Sequence, residues 1–318
     1  MIPDHFTIQF GRNFTTAVQQ TQSRFRKAAI VETGCTGEAK THNLVMPIHD
    51  SETTGERLAQ TLLQELDTQK RWVRPQTFDL ATGEPFWDEI MLAPAILPGG
   101  KHLEAHLGAY NRRVDKVFIE GLFGPNYIGK AGVETATIPG ENVVPYNFDT
   151  DGTPDTPSGL TVDKIIRAKR ILTKNESYGD DARSRGIQLW GAMTPEMEET
   201  LLFLANASTS SGAAANRLFS RDYMPPTLDK DGNISFFLGV NWIRTNQLPS
   251  EAISTHTVQY AGIWTSDAVH LDFWKEIQTS VDRRSDLKNA AQFFSQYGLG
   301  ACRSEDKKVV KIGCKVLG

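Results

Sequence analysis

Between Ile234 and Trp264 the chain reads Ile234-Ser-Phe-Phe-Leu-Gly-Val-Asn-Trp-Ile-Arg-Thr245, a Pro-containing loop, then Thr257-Val-Gln-Tyr-Ala-Gly-Ile-Trp264. Ile234, Phe236, Leu238, Val240 and Trp242 share one parity of the first run, and Val258, Tyr260 and Trp264 one parity of the second. Period two with one apolar side predicts two half-buried strands. No cluster of acids, bases, nucleophiles or metal ligands interrupts them. Such strands are scaffold rather than active site.

A chain of 318 residues can bury a sizeable core in one to three domains. The formal charge of −4 excludes tight, sequence-independent nucleic-acid binding, which needs a positive surface to displace counterions. It suits a protein that encloses nucleic acid without gripping it. No apolar run reaches the ~18–20 residues that a membrane span requires. The opening Met1-Ile-Pro-Asp-His-Phe has neither the basic nor the apolar region of a secretory signal. Cys35, Cys302 and Cys314 lie far apart without a CxxC, which reads as reduced thiols in a cytoplasmic setting.

Residues 1–28 are polar with scattered Phe6, Phe10, Phe14 and Phe25, an arm that docks rather than folds alone. Residues 29–82 mix irregular polar stretches with possible strands at 27–32 and 70–80. Leu58, Leu62 and Leu66 fall at helical spacing between them. A two-stranded excursion of this kind needs a neighbouring surface. The clearest helix covers 101–123, where Leu103, Leu107, Tyr110, Val114, Val117, Phe118 and Leu122 form one apolar stripe. Gly124-Pro125 stops it. Thr161 is an N-cap for a second helix carrying Val162, Ile166 and Leu172, with Leu160 and Ile165 placed as a hydrophobic staple. A strand at 187–193 precedes Thr194-Pro195-Glu196, which opens a third helix with Met197, Leu201 and Leu204 on one face. Residues 206–216 read as a loop. Strands at 291–302 and 309–316 flank a turn at 305–307. This order is mixed α+β, without the regular alternation of a doubly wound sheet.

Motifs that carry chemistry elsewhere are incomplete here. Gly124-Pro-Asn-Tyr-Ile-Gly129-Lys130-Ala131 approaches a phosphate-binding loop, but Ala131 stands where a magnesium-binding hydroxyl belongs, and a helix precedes it instead of a strand. His102 and His106 have the one-turn spacing of metal ligands, yet Glu104 points away from both and no third ligand is evident. No G-x-S-x-G motif is present. The run from Asp282 to Lys288 reads as a solvated or interfacial charged turn. Neither a catalytic residue, nor a metal, nor a cofactor is expected.

Four segments together resemble the tailed-phage major capsid proteins of the Hong Kong phage fold. They are Met91-Leu-Ala-Pro94 leading into the helix that ends Asn111-Arg-Arg-Val-Asp-Lys-Val-Phe-Ile-Glu-Gly-Leu-Phe-Gly124, then Gly159-Leu-Thr-Val-Asp-Lys-Ile165, then Phe237-Leu-Gly-Val-Asn-Trp-Ile-Arg-Thr-Asn246-Gln-Leu-Pro249, and finally Tyr297-Gly-Leu-Gly-Ala-Cys-Arg-Ser-Glu-Asp-Lys-Lys-Val-Val-Lys-Ile312. Their order covers nearly all of 70–318. The resemblance implies an N-terminal arm (1–28), an extended hairpin loop (29–85), a peripheral domain on a long spine helix (86–185), an axial domain (186–275), and a return to the peripheral domain (276–318). It implies a non-enzymatic subunit forming hexamers and pentamers of an icosahedral head around double-stranded DNA, assembled in the host cytoplasm, without a membrane. A compartment shell of the encapsulin type shares the fold and is the alternative. The short region before the loop leaves no room for an internal scaffold, so a separate scaffolding protein is expected, with a portal and decoration proteins as further partners. Inter-subunit contacts are expected at Phe10 and Phe14 in the arm, at Lys40, Arg57, Arg71, Trp72 and Arg74 in the loop, at Arg221 in an axial-domain loop, and at Asp282, Arg283 and Arg284 in the charged turn. Leu107, Tyr110, Val114 and Phe118 of the spine, with Phe236, Leu238 and Trp242 of the alternating strand, are the expected core.

Overall fold

The structure, a computed structural model, describes residues 20–48, 63, 65–85, 99–148, 157–206, 226–230, 232–253 and 256–316. In chain order the elements are β1 (Ile30–Thr33), β2 (Lys40–Val45), β3 (Thr68–Val73), β4 (Gln76–Glu84), α1 (Gly99–Phe123), β5 (Asn126–Ile128), β6 (Glu134–Ala136), β7 (Val143–Val144), α2 (Val162–Lys174), α3 (Asp180–Ser184), β8 (Leu189–Met193), α4 (Pro195–Asn206), β9 (Thr227–Leu228), β10 (Ile234–Phe237), β11 (Val240–Arg244), β12 (Ser250–Ile253), β13 (His256–Thr265), β14 (Val269–Arg284), β15 (Ala290–Arg303) and β16 (Val309–Lys315). Three sheets result. The largest runs β7-β16-β13-β8-β11-β10-β9 with β12 beside β13; the others run β1-β14-β15-β4 and β2-β3-β5-β6.

Helix α1 forms where the apolar stripe predicts it and ends at Gly124, whose amide bonds the Glu120 carbonyl at 2.8 Å before Pro125. Tyr110, Val114 and Val117 pack on Leu271, Phe273, Tyr297 and Leu299 of β14 and β15. The expected core residue Leu107 does not join them; it is 43% exposed, and Leu103 is exposed too. The cause is the neighbouring line of the helix. His102 stacks on Phe293, and His106 is buried between Thr82 and Ser295, so the sheet-facing line begins with histidines rather than leucines. Further along, a Cβ on Gly121 would lie 2.6 Å from that of Ala301, so only glycine lets α1 approach β15 so closely.

The run 234–245 is a hairpin, not one strand. Leu238 and Gly239 both have positive φ (52° and 78°), and the chain reverses there so that β10 pairs antiparallel with β11. Alternation is therefore broken. Ile234, Phe237, Val240 and Trp242 are buried, Leu238 is partly buried, and Phe236, an expected core residue, is 40% exposed on the outer face. Strand β13 is buried on both sides rather than one. Ala261 and Ile263 pack with α2 and α4 residues, while Trp264 packs with Phe118 and Leu122 of α1.

Thr161 caps α2 through its hydroxyl, which accepts from the Lys164 amide at 3.4 Å, and Leu160 and Ile165 are both buried. Its buried line is Ile165, Ala168 and Leu172; Ile166 faces out. The stretch 70–80 breaks at Arg74-Pro75 into β3 and β4, because proline cannot donate to a ladder. β3 pairs with β2 and β5, β4 with β15. Strand β14 runs through the expected boundary at 275/276, β15 packs under α1, and β16 pairs with β13 in the large sheet, where Val309 meets Phe118 and Leu122.

Candidate assembly surfaces

The segment before β1 is tied down by one carboxylate. Asp115, fully buried in the middle of α1, accepts from the Ser23 hydroxyl at 2.6 Å and from the amides of Arg24 and Phe25 at 3.1 and 3.3 Å; the Gln20 side chain also donates to it. Phe25 then stacks on Phe118 at 4.9 Å and lies against Trp264, whose indole N–H donates to the Ala28 carbonyl. A polar peptide with one buried aromatic is thus held on the spine.

Beyond β1 the chain turns into the two-stranded ladder of β2 and β3, which spans Lys40 to Val45 against Val73 to Thr68. Its base is a charged joint. Lys40 Nζ lies 3.1 Å from Asp272 Oδ1 and bonds Glu32, and His42 Nε2 lies 2.7 Å from Asp272 Oδ2. Burial pushes the Asp272 carboxyl up, but His42 and Lys40 outweigh it and hold it below the ordinary carboxylate range. Burial also opposes the Lys40 charge, and Glu32 and Asp272 more than offset it. At the other end of the ladder Val45, Ile48, Leu63 and Leu66 are exposed, Leu63 by 95%. An arm with an ionic root and an apolar far end cannot satisfy that end by itself.

A second projection is the β14–β15 hairpin, paired continuously from Gln278 with Gln296 out to Arg284 with Ala290 and edged by β4 as far as Glu84 opposite Ala291. Asp282, Arg283 and Arg284 are exposed near its turn, as expected of a charged turn; Arg284 pairs with Asp286. Val281 and Leu287 are exposed beside these charges.

The remaining predicted contact residues fall into three groups. Phe10, Phe14, Arg57 and Arg221 lie outside the described residues. Arg74 is exposed, with its guanidinium over Tyr127 and a 3.1 Å bond to the Gly132 carbonyl, and Trp72 donates to the Gly129 carbonyl. Arg71, by contrast, is buried in its own subunit and pairs with Asp306 at 2.8 Å, so the isolated chain already uses it. Its sequence neighbours carry no sign of this, because Asp306 is 235 positions away. Asp306 also receives Arg303, whose guanidinium donates to the carbonyls of Leu122, Gly124 and Ala136 and so caps the end of α1.

The motifs with chemical overtones resolve into structure. The Gly124 to Ala131 segment forms β5 and a turn with Gly129 at positive φ, followed by β6 rather than a helix. No row of amides at a helix start is available to a phosphate there. His106 Nδ1 lies 2.7 Å from Ser295 Oγ, but Nε2 faces Thr82 Oγ1 instead of a carboxylate, and His106 and Ser295 are both buried. A nucleophile needs access and an oriented base. This pair holds α1 to β4 and β15.

Comparison with known proteins agrees with a shell subunit. A search of curated proteins finds no match. Solved structures of similar fold include the capsid of Ralstonia phage GP4, 12% identical over 99% of this chain and 96% of that one, with a TM-score of 0.71. The cyanophage Pam1 capsid is 10% identical over 100% and 98%, at 0.69, and the capsid of Helicobacter pylori bacteriophage KHP30 is 10% identical over 98% and 96%, at 0.67. Identities this low establish the fold, which is that of tailed-phage major capsid proteins. Residues 2–316 match the family described as phage capsid protein, and the chain belongs to that family.

Proposed function

We propose that this capsid protein is the repeating subunit of an icosahedral phage head, arranged as hexamers and pentamers, assembled in the host cytoplasm and enclosing double-stranded DNA. The observation that carries the reading is a pair of projections, the β2–β3 ladder and the β14–β15 hairpin edged by β4, which expose Val45, Ile48, Leu63 and Leu66 on one and Val281 and Leu287 on the other. Exposed apolar side chains at the ends of rooted arms are best buried against other copies of the same chain. Many weak contacts then add up, since a closed shell multiplies each of them. The net charge of −4 fits DNA held by confinement rather than by adhesion. In this reading residues 1–28 are the arm, 29–85 the extended loop, and α1 the spine of a peripheral domain.

The test is to replace residues 47–66 with a short Gly-Ser turn, keeping β2 and β3. The expected product is a folded, soluble subunit that gives no closed shells by negative-stain imaging under conditions where the parent chain does. Closed shells of normal diameter from the shortened chain would overturn the role assigned to the loop.

A further inference from the structure

We propose that Glu32, His42 and His270 form a binding site for a divalent transition-metal ion of the zinc or nickel class, at the joint where the β2–β3 ladder leaves the sheet under α1. One donor atom from each residue lies within 4.8 Å of the other two. They come from three strands, β1, β2 and β14, and so from two sheets.

The hydrogen bonding at the joint leaves one ring nitrogen of His42 facing a second carboxylate. Asp272 is fully buried and can only accept when ionised, so His42 must present its proton on Nε2, 2.7 Å from that carboxylate. Its Nδ1 faces Glu32 Oε1 at 4.0 Å. A metal ion between the two would be held by both. His270 supplies the third donor. Its Nδ1 is buried and has no hydrogen-bond partner among the described residues.

Two imidazoles and one carboxylate select zinc, nickel or cobalt over calcium and magnesium, which demand oxygen. A carboxylate behind a ligating imidazole, as Asp272 stands behind His42, is the usual means of fixing that ring. Glu32 and Asp272 share Lys40, which bonds Glu32 Oε2 and Asp272 Oδ1 and leaves Glu32 Oε1 toward His42.

One adjustment is required. The rings of His42 and His270 are stacked, 3.9 Å between centroids and 14° between planes, so their in-plane lone pairs run side by side instead of converging. His42 is held by Asp272, so the convergence has to come from rotation of the His270 ring about its Cβ–Cγ bond. The bound ion would tie the root of the extended loop to β1 and β14 and set the direction in which the loop leaves the subunit.

Equilibrium dialysis of the purified chain against Zn2+, with bound metal counted by mass spectrometry, tests the site. His270→Phe keeps a ring stacked on His42 without a donor, and Glu32→Gln keeps the size of the side chain without its charge. Each should weaken zinc binding at least about 10-fold, while His102→Phe should leave it unchanged. Circular dichroism without metal establishes that the variants fold. X-ray absorption at the zinc edge of the parent chain needs no variant and should show two imidazoles around the ion. No zinc on the parent chain, equal binding by all variants, or a shell of oxygen alone would each overturn the proposal.

Discussion

Lys164 illustrates how a single polar side chain can organise a fold from inside. Its ammonium is fully buried and donates to the carbonyls of Tyr146 and Ser158 at 2.8 Å and of Gly159 and Gly313 at 3.0 Å. Burial lowers its pKa to about 8, which leaves it mostly charged at neutral pH. Lys164→Met keeps most of the stem but strips four carbonyls of this donor, and should lower the unfolding free energy by about 2–4 kcal/mol in denaturant titrations. The buried histidines act in the opposite sense. His106 and His270 have pKa values below the ordinary 6.5, that of His270 near 4, chiefly through burial. The unfolded chain therefore takes up protons near pH 6.5 while the folded chain resists. Stability is full above that pH and should fall as pH drops toward 4. His270→Phe should make the fall shallower, measured as unfolding midpoint against pH; an unchanged slope would show that His270 does not contribute to it.

The spine helix gathers the rest of the chain by different means along its length. Its early turns use His102 and His106, its middle uses apolar contact and Asp115, and its end is closed by Gly121 against Ala301 and by the Arg303 guanidinium. Asp115 supplies most of the hydrogen bonds that hold residues 20–25, beside the packing of Phe25 on Phe118. Asp115→Ala leaves the amides of Arg24 and Phe25 without their acceptor, at a cost of about 1–3 kcal/mol each if they stay buried. That segment should therefore open more often, and trypsin should cut at Arg24, Arg26 or Lys27 at least about 10-fold faster than in the parent chain. Equal cleavage rates would mean that Phe25 packing suffices to hold the segment.

As a shell subunit the protein divides its labour between a packed body and two projecting arms. Trp264, Phe118 and Phe25 sit where the large sheet meets α1, whereas Val281 and Leu287 lie at the end of the β14–β15 hairpin and touch little of their own chain. The double variant Val281→Asp with Leu287→Asp should thus leave the stability of the free subunit within about 0.5 kcal/mol of the parent, as surface changes do. It should raise the concentration needed for shell formation at least about 10-fold, because each contact would bury an unpaired charge and the shell repeats that cost. Light scattering against protein concentration reads this directly. Unaltered assembly would place the hairpin tip outside the contacts.

Much of this protein was legible without coordinates. Periodicity sufficed for α1, for the capped start of α2 and for the strand that became β8, since each is stabilised by residues near in sequence. Four separated segments sufficed for the family resemblance. The reversal at Leu238-Gly239 escaped because the apolar pattern of the sequence keeps one parity straight through it, whereas the backbone turns at the positive φ of both residues. The exposure of Leu107 and Phe236, the burial of Arg71, and the joint of Glu32, Lys40, His42, His270 and Asp272 escaped for another reason. Each depends on partners from distant strands, and no spacing in the sequence encodes which strands become neighbours. Local hydrogen bonding and apolar period are written into consecutive residues; sheet order and the pairing of buried charges are decided only when the whole chain closes on itself.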